Sequence, residues 1–354
     1  MLRGMSLTVV VCEAQVPFVR GGAEALTREL VLQLQRAGHL VELVSVPFKW
    51  YPKQELMAHA AAWRLLDLGE SCGRPIDLLI ATKFPTYAAR HSNKVVWLMH
   101  QYRAAYDLSG TEYADFDHRE LDTAVREKVR SFDRDMFGEC QAVFTISRTT
   151  SDRLQRYNAV ASTPLYHPSP LSPRLRSGED EGYFLSVGRL ETVKRVELAI
   201  EGLAHVPGDA RLVIAGDGTF RHGLERRVDE LAIRHRVTFL GTVTEPQLID
   251  LYAGARAVAF APFDEDYGYV TLEAFAARRP VITATDSGGV LEFVDHDVTG
   301  LVADPTAEGL GAAMARLALS PALARRLGEA GYDRTRDISW DGVVEALTAG
   351  VPAR

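Results

Sequence analysis

Short apolar runs alternate with longer amphipathic stretches along most of this chain. Leu7 to Val11 (LTVVV) reads as a buried strand, the stretch after Gly22 as a helix running to Ala37 and closed by Gly38, and Leu40 to Val46 as the next strand. Ile76 to Thr82, Val95 to Met99 and Ala142 to Thr145 are three more apolar runs of strand length. Between them the pattern predicts helices over about Gln54 to Leu68 and over Glu120 to Phe137, and a third opening at Ser147, whose hydroxyl suits an N-cap. Strands that are apolar along their whole length, separated by helices, predict a parallel sheet covered on both faces.

Thr163 to Pro173 (TPLYHPSPLSP) holds four prolines in eleven residues and predicts a semi-rigid connector without regular structure. The pattern then restarts. Strands are predicted at Tyr183 to Val187, Arg211 to Ala215, Thr238 to Gly241, Ala257 to Ala261 and Val281 to Ala284. Helices are predicted at Val196 to Ala204, Glu245 to Ala253 and Val270 to Ala277, the last closed off by Pro280, and then from about Thr306 to Arg334. Trp340 to Leu347 is a final short helix. The expected organisation is a first Rossmann-like domain over residues 1–168, a second over 169–335, and a C-terminal helical segment, 336–354, crossing back to the first.

Ligands of parallel sheets sit at the carboxyl ends of the strands, so the loops there are where chemistry is sought. Asp264-Glu265-Asp266-Tyr267-Gly268 is an acidic loop between a strand and a helix, and Glu273 follows in the helix. Carboxylates accept hydroxyl hydrogen bonds, which suits a sugar, and the helix-start N–H groups of Tyr269, Val270 and Thr271 suit a phosphate. Arg189 and Lys194 flank another strand-to-helix loop, where two cations suit a diphosphate. Gly21-Gly22 at the first crossover would let backbone approach a phosphate, although no GxGxxG is present. His100 directly follows a buried strand. Pro47 to Pro52 (PFKWYP) is aromatic and basic, which suits either packing on the sheet or contact with an acceptor or a membrane surface.

Composition narrows the picture. The net charge is −7, with residues 1–168 near neutral and the remainder acidic, which disfavours a basic-patch nucleic-acid binder. Cys12, Cys72 and Cys140 are isolated and odd in number, which predicts free thiols in a reducing compartment, the cytoplasm. No apolar run approaches the roughly 20 residues of a membrane span.

Taken together, Ser186-Val187-Gly188-Arg189-Leu190 with Lys194, Ala215-Gly216-Asp217-Gly218, Glu265-x7-Glu273 and Gly21-Gly22 resemble the retaining glycosyltransferases of family GT4, over nearly the whole chain. The resemblance implies an α/β fold of GT-B architecture, two Rossmann-like domains with parallel sheets facing across a cleft. It implies that Arg189 and Lys194 hold the donor diphosphate, that Glu273 binds the ribose hydroxyls, and that Glu265, helped by Gly268, holds the transferred sugar. Tyr269, Val270 and Thr271 would face phosphate, Gly216 and Val243 would line the base pocket, Gly21 and Gly22 would approach the diphosphate, and His100 would lie beside the reacting sugar. No cofactor and no metal are expected, because the two cations supply the positive charge.

The implied partners are a nucleoside-diphosphate sugar and a hydroxyl acceptor. GDP-mannose and UDP-hexoses lead among donors. A lipid-linked saccharide at the cytoplasmic membrane face and a soluble saccharide both stand as acceptors, and the oligomeric state stays open. Three alternatives stand beside the transferase: a GT-B sugar-nucleotide epimerase, an NAD-linked dehydrogenase, which lacks its glycine fingerprint here, and a non-catalytic sugar-nucleotide-binding protein.

Overall fold

The computed structural model describes residues 6–18, 21–113 and 116–351. They part into two units, Met1–His167 together with Ser339–Arg354, and Pro168–Ile338. Val19 and Arg20, just ahead of the glycine pair, lie outside the described residues.

The first unit is built on β1 (Thr8–Gln15), β2 (Leu40–Pro47), a small antiparallel hairpin of β3 (Glu70–Ser71) and β4 (Arg74–Pro75), then β5 (Leu78–Ala81), β6 (Lys94–Leu98), β7 (Ala142–Thr145) and β8 (Thr163–Pro164). Its main sheet is parallel, in the order β2-β1-β5-β6-β7-β8. The helices are α1 (Gly22–Arg36), α2 (Leu56–Leu65), α3 (Glu120–Gly138) and α4 (Arg148–Asn158). Every residue of β5 and β6 is buried, as expected of strands covered on both faces. The core gathers Val10, Leu79, Val96, Leu98, Trp63, Tyr87 and Phe137. Ser147 caps α4, its hydroxyl accepting the Thr150 N–H at 3.0 Å.

The second unit contains β9 (Tyr183–Val187), β10 (Arg211–Ala215), β11 (Val237–Gly241), β12 (Ala255–Ala259), β13 (Val281–Ala284) and β14 (Gly300–Ala303). They form one parallel sheet in the order β11-β10-β9-β12-β13-β14. Its helices are α5 (Val196–Ala204), α6 (Arg221–Glu230), α7 (Glu245–Gly254), α8 (Tyr269–Ala276), α9 (Ala307–Leu319) and α10 (Pro321–Thr335). Phe184, Ile200, Leu203, Leu212, Ile214, Ile282 and Met314 lie in its core. The chain then returns to the first unit, where α11 (Trp340–Thr348) sets Trp340 edge-on to Trp97 of β6, ring centroids 5.8 Å apart.

Two expectations need correction. The proline-rich connector is not wholly irregular: Thr163 and Pro164 pair with Phe144 and Thr145 as the edge strand β8, a place where a proline needs no ladder donor. The helix α6 was not predicted, because among its ten residues only Leu224 and Val228 are buried. Among the described residues no helix is long and apolar enough to cross a membrane.

Candidate active site

In the second unit the chain runs from β9 outward to β10 and β11, then returns to lay β12 on the other side of β9. The strand order reverses between β9 and β12, and the crevice at the carboxyl ends of such neighbours is where doubly wound sheets bind ligands. The two loops that border it are Gly188 to Arg195, after β9, and Phe260 to Gly268, after β12.

These loops meet through an ion pair. Lys194 Nζ donates to Glu265 Oε2, with both side chains about one-fifth exposed. The backbone fixes where Glu265 stands: its N–H donates to the Ser287 carbonyl at 3.3 Å, and its own carbonyl accepts the Gly289 N–H at 2.7 Å. The glycines of Ser287-Gly288-Gly289 are there for close approach. A Cβ on Gly288 would lie 2.6 Å from the Glu265 carbonyl oxygen, and one on Gly289 would lie 2.5 Å from that of Asp266.

Arg195, next to Lys194, is the residue that sequence reasoning missed. It is buried, and its guanidinium donates to the carbonyls of Ala261 (3.0 Å) and Pro262 (2.8 Å) and, in bidentate fashion, to Asp286 (2.6 and 2.8 Å). It therefore ties together the loops after β9, β12 and β13. Nothing in the sequence separates Arg195 from its neighbour, since both are cations in one loop. Arg189, by contrast, is exposed, and none of the described residues holds its side chain. The structure joins Lys194, and not Arg189, to the acidic loop.

The Gly188-Arg189-Leu190 and Gly216-Asp217-Gly218 segments interlock by backbone. The Gly188 N–H donates to Ala215 O, and the Leu190 N–H to Asp217 O at 3.0 Å. Gly216 has φ +142°, and a Cβ there would collide with the Gly188 carbonyl; one on Gly218 would lie 2.5 Å from the Leu190 carbonyl oxygen. This packing gives Gly216 a structural reason to be glycine. Val243 is half-buried on the loop after β11.

At α8 the Thr271 N–H donates to the Gly268 carbonyl at 2.9 Å. The first helical turn closes on its own N-cap carbonyl in this way. Among the described residues the buried Thr271 hydroxyl has no hydrogen-bond partner. Gly268 caps α8 and lies against Val290, Phe260 and Glu265.

Glu273 is not joined to the Lys194 pair. Its Oε1 accepts from the Ser169 hydroxyl at 2.7 Å and its Oε2 from the Tyr252 hydroxyl at 2.8 Å. Burial pushes the Glu273 carboxyl above the usual range, opposed by these two donors.

The remaining candidates belong to the first unit. His100 follows β6 and is half-buried, with Nδ1 2.8 Å from the Gln101 carbonyl. The Gln101 side chain is fully buried and donates to Asn158, whose amide donates to Tyr106 at 3.1 Å. Tyr106 and Tyr87 both donate to Asp133, at 2.6 and 2.7 Å. This chain of polar groups beneath His100 was not visible in the sequence, because its members are far apart in order. The Gly21 N–H, expected at a diphosphate, instead donates to the Glu24 carboxylate at 2.8 Å; Gly22 is the first residue of α1. Glu24 pairs with Lys83 at 2.9 Å, both largely buried. Burial alone would raise the Glu24 carboxyl, but the Lys83 charge and the hydrogen bonds it receives bring its pKa below the ordinary value. In the PFKWYP segment Trp50 and Tyr51 are exposed, with Lys49 over the Tyr51 ring.

The strand order and the switch-point loops define a doubly wound α/β unit with a polar crevice, one of two Rossmann-like units in the chain. Residues 170–334 match the family described as glycosyl transferases group 1. The chain is similar to D-inositol 3-phosphate glycosyltransferase of Mycolicibacterium paratuberculosis, 36% identical over 177 residues, covering 48% of this chain and 40% of that protein. It is similar to human alpha-1,3/1,6-mannosyltransferase ALG2, 31% identical over 169 residues, covering 43% and 40%. The chain thus spans about two-fifths of the length of these curated relatives. Among solved structures, sucrose-phosphate synthase from Thermosynechococcus elongatus superposes with a TM-score of 0.79 at 20% identity, covering 96% of this chain and 97% of that one. The expected GT-B fold, with its two Rossmann-like units, is thereby established.

Proposed function

We propose that this protein is a retaining, metal-independent hexosyltransferase that moves a mannose- or glucose-type sugar from a nucleoside diphosphate to a hydroxyl acceptor. The observation that carries the reading is the Lys194–Glu265 pair at the switch point of the second unit. A cation and a carboxylate held side by side offer one group for a leaving phosphate and one for sugar hydroxyls. The names of the mannosyltransferase and inositol-phosphate glycosyltransferase relatives support the same chemistry.

In the proposed reaction the bond from the anomeric carbon to the β-phosphate oxygen breaks, and the acceptor oxygen bonds to that carbon on the same face. The acceptor proton passes to the departing phosphate oxygen. Positive charge grows on the sugar and negative charge on the phosphate. Lys194 offsets the latter, with Arg189 as a second cation; Glu265 orients the sugar and Glu273 the ribose. Membrane contact through Trp50 and Tyr51 belongs to the same proposal, for a lipid-linked acceptor.

The test is turnover of UDP-glucose, GDP-mannose and their relatives by the purified chain in EDTA, with saccharide and lipid-linked acceptors. Glycosyl transfer with retained anomeric configuration is expected, falling about 10²-fold or more in Lys194→Ala. Loss of transfer in EDTA with recovery on a divalent ion would sink the metal-free part. Epimerisation without an acceptor, or binding without turnover, would replace the transferase reading.

A further inference from the structure

Glu273 sits on α8, yet what holds its carboxyl group comes from elsewhere. Ser169 arrives from the connector ahead of β9 and is 1% exposed. Its hydroxyl does two things at once, donating to Glu273 Oε1 at 2.7 Å and accepting the Leu171 N–H at 3.2 Å. Its hydrogen is therefore directed at the carboxylate and nowhere else. Tyr252 comes from α7, is fully buried, and donates to the other oxygen, Oε2, at 2.8 Å. One donor lies on each oxygen.

An ionised carboxylate has about four acceptor positions, two on each oxygen. Ser169 and Tyr252 fill one on each. What remains is a matched pair, one position per oxygen, on a group that cannot rotate without breaking both bonds. Two acceptor oxygens on one carboxylate, each with a position left, can take two hydroxyls on adjacent carbons, a vicinal diol. The raised pKa of Glu273 agrees with this: its donors do not fully replace the water it has lost, so a ligand bringing two more would satisfy it. The residue itself retains a solvent-exposed part.

We infer that Ser169 and Tyr252 are positioning residues that lock the Glu273 carboxylate for bidentate recognition of the ribose cis-diol, and so set the preference for ribo- over deoxyribonucleotide donors. This rests on the reading of Glu273 as the ribose group. Neither residue touches the ligand. Both act by restricting Glu273 to the single orientation in which both hydroxyls are accepted.

The experiment measures dissociation constants of UDP, GDP and ADP, and of their 2′-deoxy counterparts, on the wild-type chain and on Ser169→Ala and Tyr252→Phe. Wild type is expected to prefer the ribonucleotide of its best base by about tenfold or more, the usual size of a lost hydrogen bond to a charged group. Each variant should weaken the ribonucleotide by about five- to thirtyfold and the deoxynucleotide much less, so that the preference collapses toward unity. Ser169→Thr, which keeps the hydroxyl, should restore it. A variant that merely loosened the fold would weaken both nucleotides alike, and that result overturns the inference, as does an unchanged preference in both variants. If wild type itself shows no preference for the ribonucleotide, the assignment of Glu273 to ribose is what fails. The two failures are thus told apart by the wild-type ratio alone.

Discussion

Asp133 is a carboxyl group taken wholly out of water, and among the described residues two tyrosine hydroxyls donate to it. Burial raises its pKa to about 7, against the lowering influence of the Tyr106 and Tyr87 hydrogen bonds. In the unfolded chain the same group titrates near about 3.9. Between those values the folded protein holds a proton that the unfolded chain has released. Stability from this group is therefore full below about pH 4, falls as pH rises toward 7, and is flat above. Within that window each pH unit costs up to about 1.4 kcal/mol. Asp133→Asn cannot titrate and should lose this part of the pH dependence. All four tryptophans, Trp50, Trp63, Trp97 and Trp340, lie in the first unit, so their fluorescence follows its unfolding selectively. Urea midpoints read that way at pH 5 and pH 8 should drop more for wild type than for Asp133→Asn. Parallel drops would show that Asp133 is ionised in the folded state at both values.

The loops at the carboxyl edge of the second sheet act as one element, and Arg195 is what unites them. Arg195→Ala leaves Asp286 without its partner and two loop carbonyls without donors. Removing one side of such a pair costs about 3–5 kcal/mol when it is fully buried. Asp286 keeps about one-third exposure, so a loss of about 2–3 kcal/mol is expected, read by calorimetry of the second unit. A loss under about 0.5 kcal/mol, the size of an ordinary surface change, would reduce Arg195 to a bystander. Elements of this kind mark how far the sequence could be read. Strands buried on both faces, such as Tyr183–Val187 and Val281–Ala284, stand out as apolar runs with the bounds the structure has. Lys194 and Glu265 could be assigned to neighbouring loops, because loops at strand ends follow from strand order. Which cation turns inward could not be read, since that depends on where three separate loops bring their carbonyls. Ser169 was hidden for the same reason: a serine between two prolines looks like connector until Glu273 is placed beside it. Polar α6 and the edge strand β8 had too little burial to leave a pattern.

At the level of the whole molecule, the two units share one architecture but divide the chemistry. The residues proposed for the nucleotide, from Arg189 to Glu273, all belong to Pro168–Ile338, while the tryptophans belong to Met1–His167 with Ser339–Arg354. This division makes the donor proposal testable without knowing the acceptor. A ligand that binds only the native state stabilises it by RT ln(1 + [L]/Kd), about 2.7 kcal/mol at a hundredfold excess over Kd. Heating the metal-free chain with UDP, GDP, ADP or TDP and their sugar conjugates should therefore raise the calorimetric transition of the second unit for the one base that fits. The tryptophan-reported transition need not follow by the same amount. The size of the shift ranks the bases, and comparing each diphosphate with its sugar conjugate measures what the sugar adds at Glu265. A shift confined to the tryptophan-reported transition would mean that the nucleotide binds the first unit, and Lys194, Glu265 and Glu273 would then lose their assignment together. A shift confined to the second unit, removed by Lys194→Ala at matched ligand concentration, would anchor the diphosphate at the switch point of its sheet.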